Sequence, residues 1–155
     1  LLGDEAILVC NVDILSNIDI PTLLDAYDPQ EMGVVVVSAR ETQRYLLFDE
    51  DDRLCGWTNI ATGEVRGEEA IRRLGVEPVT IKKLAFSGMQ VLNPRILDYM
   101  DAVIEKKGNK FSLIDLYLSI AEKEILKAFI PENYRMMDVG KINQLSEAEA
   151  FAQEL

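Results

Sequence analysis

The stretch LVCNVDIL, residues 8–15, places two polar side chains directly after an apolar run. Ile7–Cys10 is a short continuous apolar segment, which is the pattern of a β-strand buried on both faces. Asn11 and Asp13 follow at its end. An aspartate at a strand end is most often a turn former, but in open α/β sheets ligands also gather at the carboxyl ends of strands. Asp13 is therefore either a turn residue or a carboxylate placed for chemistry.

Outward from this stretch, the sequence alternates between strand and helix patterns. Residues 33–39, GVVVVSA, predict a second buried strand, and a helix capped by Asp19 between the two strands predicts a parallel crossover. The segments after residue 44 predict an antiparallel hairpin, a further turn, and a long extended segment at residues 80–93. Three more helices are predicted, one after Asn93-Pro94 and two after capping boxes at Ser112/Asp115 and Ser146/Glu149. The apolar runs ILKAFIP and YRMMDV predict two more strands. Residues 1–155 thus predict one α/β domain, a Rossmann-like mixed sheet flanked by helices with an antiparallel hairpin insertion.

The composition fits a globular protein that does not bind nucleic acid. The chain has 155 residues, 48% of them hydrophobic, and a net charge of −11. Binding to a phosphate backbone needs a basic surface, so this charge argues against a nucleic-acid partner. No run approaches the roughly 18 apolar residues of a membrane span, and no signal-peptide pattern is present, so we expect a cytoplasmic protein without membrane association. Cys10 and Cys55 lie in apolar runs and are predicted to be buried thiols.

Histidine is absent from the chain, which excludes Ser-His-Asp and Cys-His nucleophilic schemes and most zinc hydrolases. Asp13 has a counterpart in Asp138, which also follows an apolar strand-like run. Two carboxylates at one sheet edge repel each other unless a cation lies between them. Mg²⁺ takes one or two carboxylates together with waters and phosphate oxygens. The pair is a candidate magnesium site, and a turn or cap role is the alternative for each residue alone.

Three motifs resemble those of sugar-1-phosphate nucleotidyltransferases and occur in that family's order. AILVCNVDIL resembles the family's strand-and-aspartate motif, and LAFSGMQVLNPRIL resembles its Phe-(Ala/Ser)-Gly-(Ile/Met) strand. MMDVGKINQLSEAE resembles the Trp-x-Asp-(Val/Ile)-Gly-Thr-Pro segment that closes the catalytic domain. The resemblance covers essentially the whole chain. It is greatest to the subgroup described as mannose-1-phosphate guanylyltransferase-like or muramate-phosphate uridylyltransferase-like.

The resemblance implies a nucleotide-diphospho-sugar transferase type of fold and a specific reaction. A sugar 1-phosphate attacks the α-phosphate of a nucleoside triphosphate, giving a nucleotide-sugar and pyrophosphate. Asp13 and Asp138 are then the ligands of a Mg²⁺ cofactor, and Asn11, Gly88 and Gly140 are substrate-binding residues. Such transfer depends mostly on positioning and charge neutralisation, which agrees with the absence of histidine. The alternative for Gly88 is a β-bulge, and the alternative for Asn11 is a cap of the loop alone.

The sequence departs from the family pattern at several positions. Val12 stands where the family often has Gly, and Met136 replaces the common Trp. Lys141-Ile142 replaces Thr-Pro, and Thr58-Asn59 stands in place of a Glu-Lys pair, so no sugar-binding carboxylate is carried over there. The Gly-x-Gly-Thr-Arg loop that holds the triphosphate has no counterpart in the 155 residues. We therefore expect the chain to be the C-terminal portion of a longer catalytic domain, with the N-terminal strands missing, inactive alone and prone to self-association through the uncovered sheet edge.

Two other functions are compatible with these residues. One is a metal-dependent glycosyltransferase of related architecture, which binds its metal through an Asp-x-Asp motif. The segment NVD is that motif with Asn11 at its first position. The other is a non-catalytic nucleotide-sugar-binding domain, which would not need to keep both Asp13 and Asp138.

Overall fold

A computed structural model of the chain describes residues 5–75, 80–108, 110–140 and 145–153. The strands are β1 (Ile7–Cys10), β2 (Ile14–Ser16), β3 (Gly33–Ser38), β4 (Arg44–Phe48), β5 (Leu54–Asn59), β6 (Glu64–Arg66), β7 (Lys82–Leu92), β8 (Leu126–Phe129) and β9 (Met136–Asp138). The helices are α1 (Ile20–Asp25), α2 (Glu68–Leu74), α3 (Ile96–Lys107), α4 (Leu113–Ala121) and α5 (Leu145–Gln153).

The main sheet is built around β7, its longest strand. Seven strands form it in the order β6-β5-β4-β7-β3-β8, and β1 also pairs with β7. β1 and β3 both pair antiparallel with residues 89–92, so they lie on opposite sides of β7 and run parallel to each other. β8 pairs parallel with β3, and β2 and β9 form a separate antiparallel ribbon. The mixed α/β sheet with an antiparallel hairpin insertion is confirmed, although β7 separates the two strands of the predicted crossover.

The prediction that β1 is buried on both faces is wrong. Leu8 is 39% exposed and Val9 is 37% exposed. Cys10, which was predicted to be a buried thiol, is exposed as well. The reason is that β1 has one paired neighbour among the described strands, and the two buried apolar clusters do not include its residues.

Helices cover both faces of the sheet and bury two apolar clusters. The larger cluster joins β3 to α3 and α4 through residues such as Val35, Val103 and Tyr117. The smaller cluster joins the other face of β3 to α1 through Val34 and Leu23. The alternation of Val34 and Val35 between the two clusters follows the two-residue period of a strand. Both faces of β3 are therefore covered, and its residues 33–37 are buried.

Local capping chemistry sets two helix starts. The Asp19 carboxylate accepts the N–H of Thr22 at 3.1 Å, which confirms the predicted cap of α1. Ser112 and Asp115 form the predicted capping box of α4. The predicted capping box at Ser146 is wrong, because α5 already begins at Leu145 and Ser146 lies inside the helix.

The insertion β4–β5–β6 is held by its turns and by the larger apolar cluster, which it shares with β3, α3 and α4. The Asp49 carboxylate accepts the N–H groups of Asp51 and Arg53 and closes the β4–β5 turn. Cys55 is buried in β5 as predicted, and this burial, together with the charge of Asp49, raises the pKa of its thiol to about 12. Trp57 packs in the larger cluster, with the Arg66 guanidinium 4.4 Å above its ring.

Among the described helices, none combines the length and the apolar character that crossing a lipid bilayer requires.

Candidate functional site

The β2–β9 ribbon brings Asp13 and Asp138 together. Ile14 is paired with Asp138, so Asp13 lies one residue beyond the end of this register. The N–H of Val139 then donates to the carbonyl oxygen of Asp13 at 2.8 Å. Main-chain pairing alone therefore places the two predicted metal-binding residues side by side, although they are far apart in the sequence.

Both carboxylates converge on Gly140. A Cβ atom built on Gly140 would lie 3.0 Å from Asp13 Oδ2 and 3.2 Å from Asp138 Oδ1. The N–H of Gly140 also donates to Asp138 Oδ1 at 3.0 Å. A side chain at this position would press on both acids, so the glycine lets them approach one point. A glycine suits position 140 because it has no Cβ atom to contact the two carboxylates.

The donor set fits a hard divalent cation. Asp13 is half-buried, Asp138 is exposed, and neither has an ion-pair partner among the described residues. Two carboxylates without a compensating cation repel each other. Mg²⁺ accepts one or two carboxylates and fills its remaining positions with water and phosphate oxygens. In the described parts of the chain, no group of three or more His, Cys, Asp or Glu side chains forms a larger metal cluster.

Asn11 and Gly88 contact each other, and Asn11 precedes Asp13 by two residues. Gly88 has a φ of +77° and lies where the β3–β7 pairing shifts register, so the bulge that was the alternative for this glycine is present. The N–H of Asn11 donates to the Gly88 carbonyl oxygen at 2.8 Å. A Cβ atom on Gly88 would lie 3.0 Å from Asn11 Nδ2. The Asn11 amide thus occupies the space that the glycine leaves, and it joins β7 to the loop that carries Asp13.

The structure therefore places the five residues that the sequence singled out in two groups, which are joined by the short segment from Asn11 to Asp13. Asp13 and Asp138 face Gly140, and Asn11 packs on Gly88 two residues before Asp13. Of the other family positions, Lys141-Ile142 lies outside the described residues. Asn59 is the last residue of β5, and its side chain accepts the N–H of Ala61 at 3.0 Å in the turn that follows.

Arg40 is a residue at this edge that the sequence analysis missed. β1, β3 and β8 run in the same direction, so their carboxyl ends face the same way. Arg40 follows β3 by two residues and donates from its guanidinium to the Phe86 carbonyl oxygen at 2.9 Å. A basic residue within a few positions of the end of a buried strand was the available signal, since Asn11 and Asp13 also lie within three residues of the end of β1.

Two cavities adjoin Arg40. The end cavity has a volume of about 480 Å³ and is lined by Ser38, Ala39, Arg40, Ile130, Pro131, Tyr134, Arg135, Met136 and Phe151. The hairpin cavity has a volume of about 530 Å³ and is lined by Arg40, Arg44, Trp57, Asn59, Arg66 and Phe86 among others. Met136 and Asp138 lie two residues apart in β9, so they are on the same face of that strand, about 7 Å apart. The described lining of the end cavity includes Met136 but neither Asp13 nor Asp138.

Comparison with known proteins agrees with this architecture. No protein-family model matches the sequence, and no curated protein matches it. Among solved structures, the chain is similar to a protein from Bacillus anthracis assigned as a glucose-1-phosphate thymidylyltransferase and solved in complex with sucrose, with a TM-score of 0.68 and 14% identity. The match covers 99% of this chain and 56% of that one.

The chain has a nucleotidyltransferase-like fold. It spans little more than half the length of the B. anthracis protein. The β1 strand with its following acid, the bulged β7 strand and the β9 strand with its terminal acid all lie within the shared part, because the match includes nearly every residue of this chain.

Proposed function

We propose that this chain supplies the metal-binding half of a sugar-1-phosphate nucleotidyltransferase. The observation that carries the proposal is the convergence of the Asp13 and Asp138 carboxylates on Gly140, at the carboxyl end of β1. The likeness of the fold to the B. anthracis protein supports it. The substrates would be a nucleoside triphosphate and a sugar 1-phosphate, and the products a nucleotide-sugar and pyrophosphate.

In this reaction the chain's residues bind and position the phosphates. Asp13 and Asp138 would hold Mg²⁺, and the bound ion would supply positive charge beside the phosphate oxygens. The two acids would thereby help to position the phosphates for in-line attack of the sugar phosphate on the α-phosphate, with pyrophosphate as the leaving group. Asn11 contacts Gly88 two residues before Asp13, and its side-chain amide could donate a hydrogen bond to a phosphate oxygen. Gly140 keeps the space in front of the acids open. Positioning and charge neutralisation account for most of the acceleration in such transfers, so no protein nucleophile is required.

Turnover is proposed for a protein that joins these residues to a triphosphate-binding loop. The Gly-x-Gly-Thr-Arg loop of the family is absent from the 155 residues. The isolated chain should therefore bind nucleoside triphosphate weakly and release no pyrophosphate from triphosphate and sugar 1-phosphate. Pyrophosphate release by the isolated chain would contradict this part of the proposal.

The decisive experiment uses a protein that joins these residues to a triphosphate-binding loop, and compares it with its Asp13→Asn variant across a panel of sugar 1-phosphates and nucleoside triphosphates. We expect pyrophosphate release that depends on both substrates and falls by at least about a hundredfold in the variant, because the metal loses a charged ligand. Unchanged activity in the variant would remove Asp13 from the mechanism. Transfer from a nucleotide-sugar without pyrophosphate release would instead favour the glycosyltransferase, and nucleotide-sugar binding without either reaction would favour the binding domain.

The position of the second acid favours the nucleotidyltransferase over the glycosyltransferase. An Asp-x-Asp motif supplies both acids from one loop, whereas here the residue two before Asp13 is Asn11, and the second carboxylate comes from β9. The metal site is thus assembled from two distant segments.

A further inference from the structure

The β2–β9 ribbon carries the candidate metal site, but it is short and separate from the main sheet. It has three residue pairs, from Ile14 with Asp138 to Ser16 with Met136. Neither of the two described apolar clusters contains a residue of its strands. A two-stranded ribbon of this size is only marginally stable by itself. The position of Asp138 beside Asp13 therefore depends on contacts beyond these three pairs.

The register of the ribbon is not set by a hairpin turn. In a hairpin the turn type and the loop length fix which residues lie opposite each other. Here β2 ends at Ser16 and β9 begins at Met136, so no short turn joins them. A shift of β9 by one residue would turn the Asp138 side chain to the other face of the ribbon and separate it from Asp13. The two carboxylates therefore need a contact that selects this register.

Asn17, the residue after β2, is bonded at three points to the segment that leads into β9. Its main-chain N–H donates to the Arg135 carbonyl oxygen at 3.2 Å. Its side-chain Oδ1 accepts the Arg135 N–H at 2.8 Å, and its Nδ2 donates to the Asn133 carbonyl oxygen at 2.9 Å. The side-chain amide thus supplies the donor and the acceptor that a further strand pair would supply.

This arrangement discriminates against a shifted strand. An Asn side chain offers its donor and its acceptor on opposite sides of one amide group, and here they meet the C=O of Asn133 and the N–H of Arg135. The main-chain groups of neighbouring residues in an antiparallel strand point to opposite edges. A one-residue shift would therefore remove both side-chain bonds together. Asn17 is exposed, so water would satisfy its amide, and its use on one distant segment constrains that segment.

We propose that Asn17 is a positioning residue, which fixes the register of β2 with β9 and thereby holds the Asp138 carboxylate beside Asp13. The described hydrogen bonds of its side chain go to Asn133 and Arg135, so it acts through the ribbon. The inference rests on the proposed function for the identity of the bound metal. The effect of Asn17 on the register does not depend on that function.

The register is tested first in the 155-residue chain without metal. One readout is the nuclear Overhauser effect (NOE) between the Hα atoms of Ile14 and Asp138, which lie opposite each other. The other is the exchange rate of the Val139 amide proton, which is bonded to the carbonyl oxygen of Asp13. In Asn17→Ala we expect the NOE to lose at least about half of its intensity and the exchange to accelerate about fivefold or more, because two hydrogen bonds that hold the ribbon are removed.

Calorimetric titration with Mg²⁺ tests the consequence for the metal site. Asn17→Ala should weaken Mg²⁺ about fivefold or more, although neither carboxylate is changed. The matched control is Asn93→Ala, because the Asn93 side chain also donates to a distant carbonyl oxygen, that of Pro29 at 3.1 Å, and accepts the N–H of Arg95 at 3.0 Å. This control lies outside the ribbon. It should lower the free energy of unfolding in urea at least as much as Asn17→Ala and leave Mg²⁺ affinity unchanged.

A disulfide across the ribbon provides a rescue. The N–H of Asn17 donates to Arg135, so the adjoining residues Ser16 and Met136 form a non-hydrogen-bonded pair. The Cα atoms of such a pair lie about 4.5 Å apart, within the range that a disulfide spans. The rescue variant carries Ser16→Cys and Met136→Cys in addition to Asn17→Ala, and Cys10→Ser removes the exposed native thiol. It should regain Mg²⁺ affinity when oxidised and lose it again when reduced.

Three results would overturn the proposal. The first is an Asn17→Ala chain that keeps the NOE and the slow exchange of Val139, because other contacts would then set the register. The second is an equal loss of Mg²⁺ affinity in Asn17→Ala and Asn93→Ala, which would reduce the effect to general stability. The third is an oxidised rescue variant that regains the NOE but not the Mg²⁺ affinity.

A failure of the proposed function gives a different pattern. Mg²⁺ binding that is unchanged in Asp13→Asn, or absent from the original chain, would contradict the metal site. The NOE between Ile14 and Asp138 would still show, without metal, whether Asn17 fixes the register.

Discussion

The N–H group of Val139 donates a 2.8 Å hydrogen bond to the carbonyl oxygen of Asp13. This bond extends the β2–β9 pairing by one step and fixes the main chain on both sides of the candidate metal site. The side chains of Asp13 and Asp138 take no part in the pairing. Changes to the two carboxylates therefore test metal binding rather than folding.

Replacing either acid by its amide should abolish magnesium binding and preserve the fold. We expect Asp13→Asn or Asp138→Asn in the 155-residue chain to weaken Mg²⁺ at least about tenfold, because the cation prefers charged oxygen ligands. The free energy of unfolding should change by less than about 0.5 kcal/mol, since both residues lie away from the core. Calorimetric titration with Mg²⁺ and urea unfolding measure the two quantities.

The hairpin turn supplies a control for the loss of charge. Asp51 lies in another acid-rich segment, EDD, and Asp51→Asn removes the same charge without touching the ribbon. Its Mg²⁺ affinity should equal that of the original chain. Equal weakening by all three variants would show that the cation responds to net charge, and the site assignment would be wrong.

A methyl group on Gly140 should separate the two acids. The Cβ atom of Gly140→Ala would lie 3.0 Å from Asp13 Oδ2 and 3.2 Å from Asp138 Oδ1, closer than ordinary contact. Both carboxylates must move, so we expect Mg²⁺ affinity to fall about tenfold while the amide spectrum of the main sheet is unchanged. Calorimetry and NMR measure these effects, and full affinity in Gly140→Ala would contradict the convergence of the two acids.

The sequence predicted what depends on neighbouring residues and missed what depends on distant pairing. The caps at Asp19 and Ser112 were predicted, because a cap needs only the next three or four residues. The exposure of Leu8 and Val9 was not, since an apolar strand has the same composition whether or not another element covers it. Asp13 and Asp138 each follow an apolar run, and this common pattern suggested a pair. The strand register that brings them together, however, is set by the pairing of β2 with β9. Arg40 was missed because an arginine after a strand resembles any surface residue.

Asp115 should stabilise the fold in a pH-dependent way. Its side chain is 11% exposed, and Oδ1 contacts Arg66 Nη1 at 2.9 Å and Lys107 Nζ at 2.5 Å. Partial burial acts to raise the pKa of this carboxyl group, but the hydrogen bonds from Lys107 and from Ser112 outweigh it and hold the pKa well below its usual value. A lowered pKa means stability that is present above the unfolded pKa of about 3.9 and lost as the pH falls toward the folded value.

The variant Asp115→Asn removes this contribution. At pH 7 we expect the free energy of unfolding to fall by about 1–3 kcal/mol, because the capping box weakens and both Arg66 and Lys107 lose their ion pair with this carboxylate. The difference from the original chain should shrink as the pH is lowered from about 4 to 2. Urea unfolding across this range measures it, with Asp98→Asn on the exposed first turn of α3 as the control. A difference that stays constant with pH would contradict the electrostatic origin.

The uncovered β1 strand should make the isolated chain self-associate. Leu8 and Val9 expose apolar surface on a strand whose described pairing is with β7 alone, and such edges recruit another strand. We expect sedimentation velocity to show association that grows with protein concentration, and Val9→Lys to abolish it, because a lysine must give up its hydration to enter a strand pair. Val65→Lys, on the exposed strand β6 at the far end of the sheet, is the matched control and should still associate. A monomer at every concentration, or equal effects of the two lysines, would show that β1 is not the contact surface.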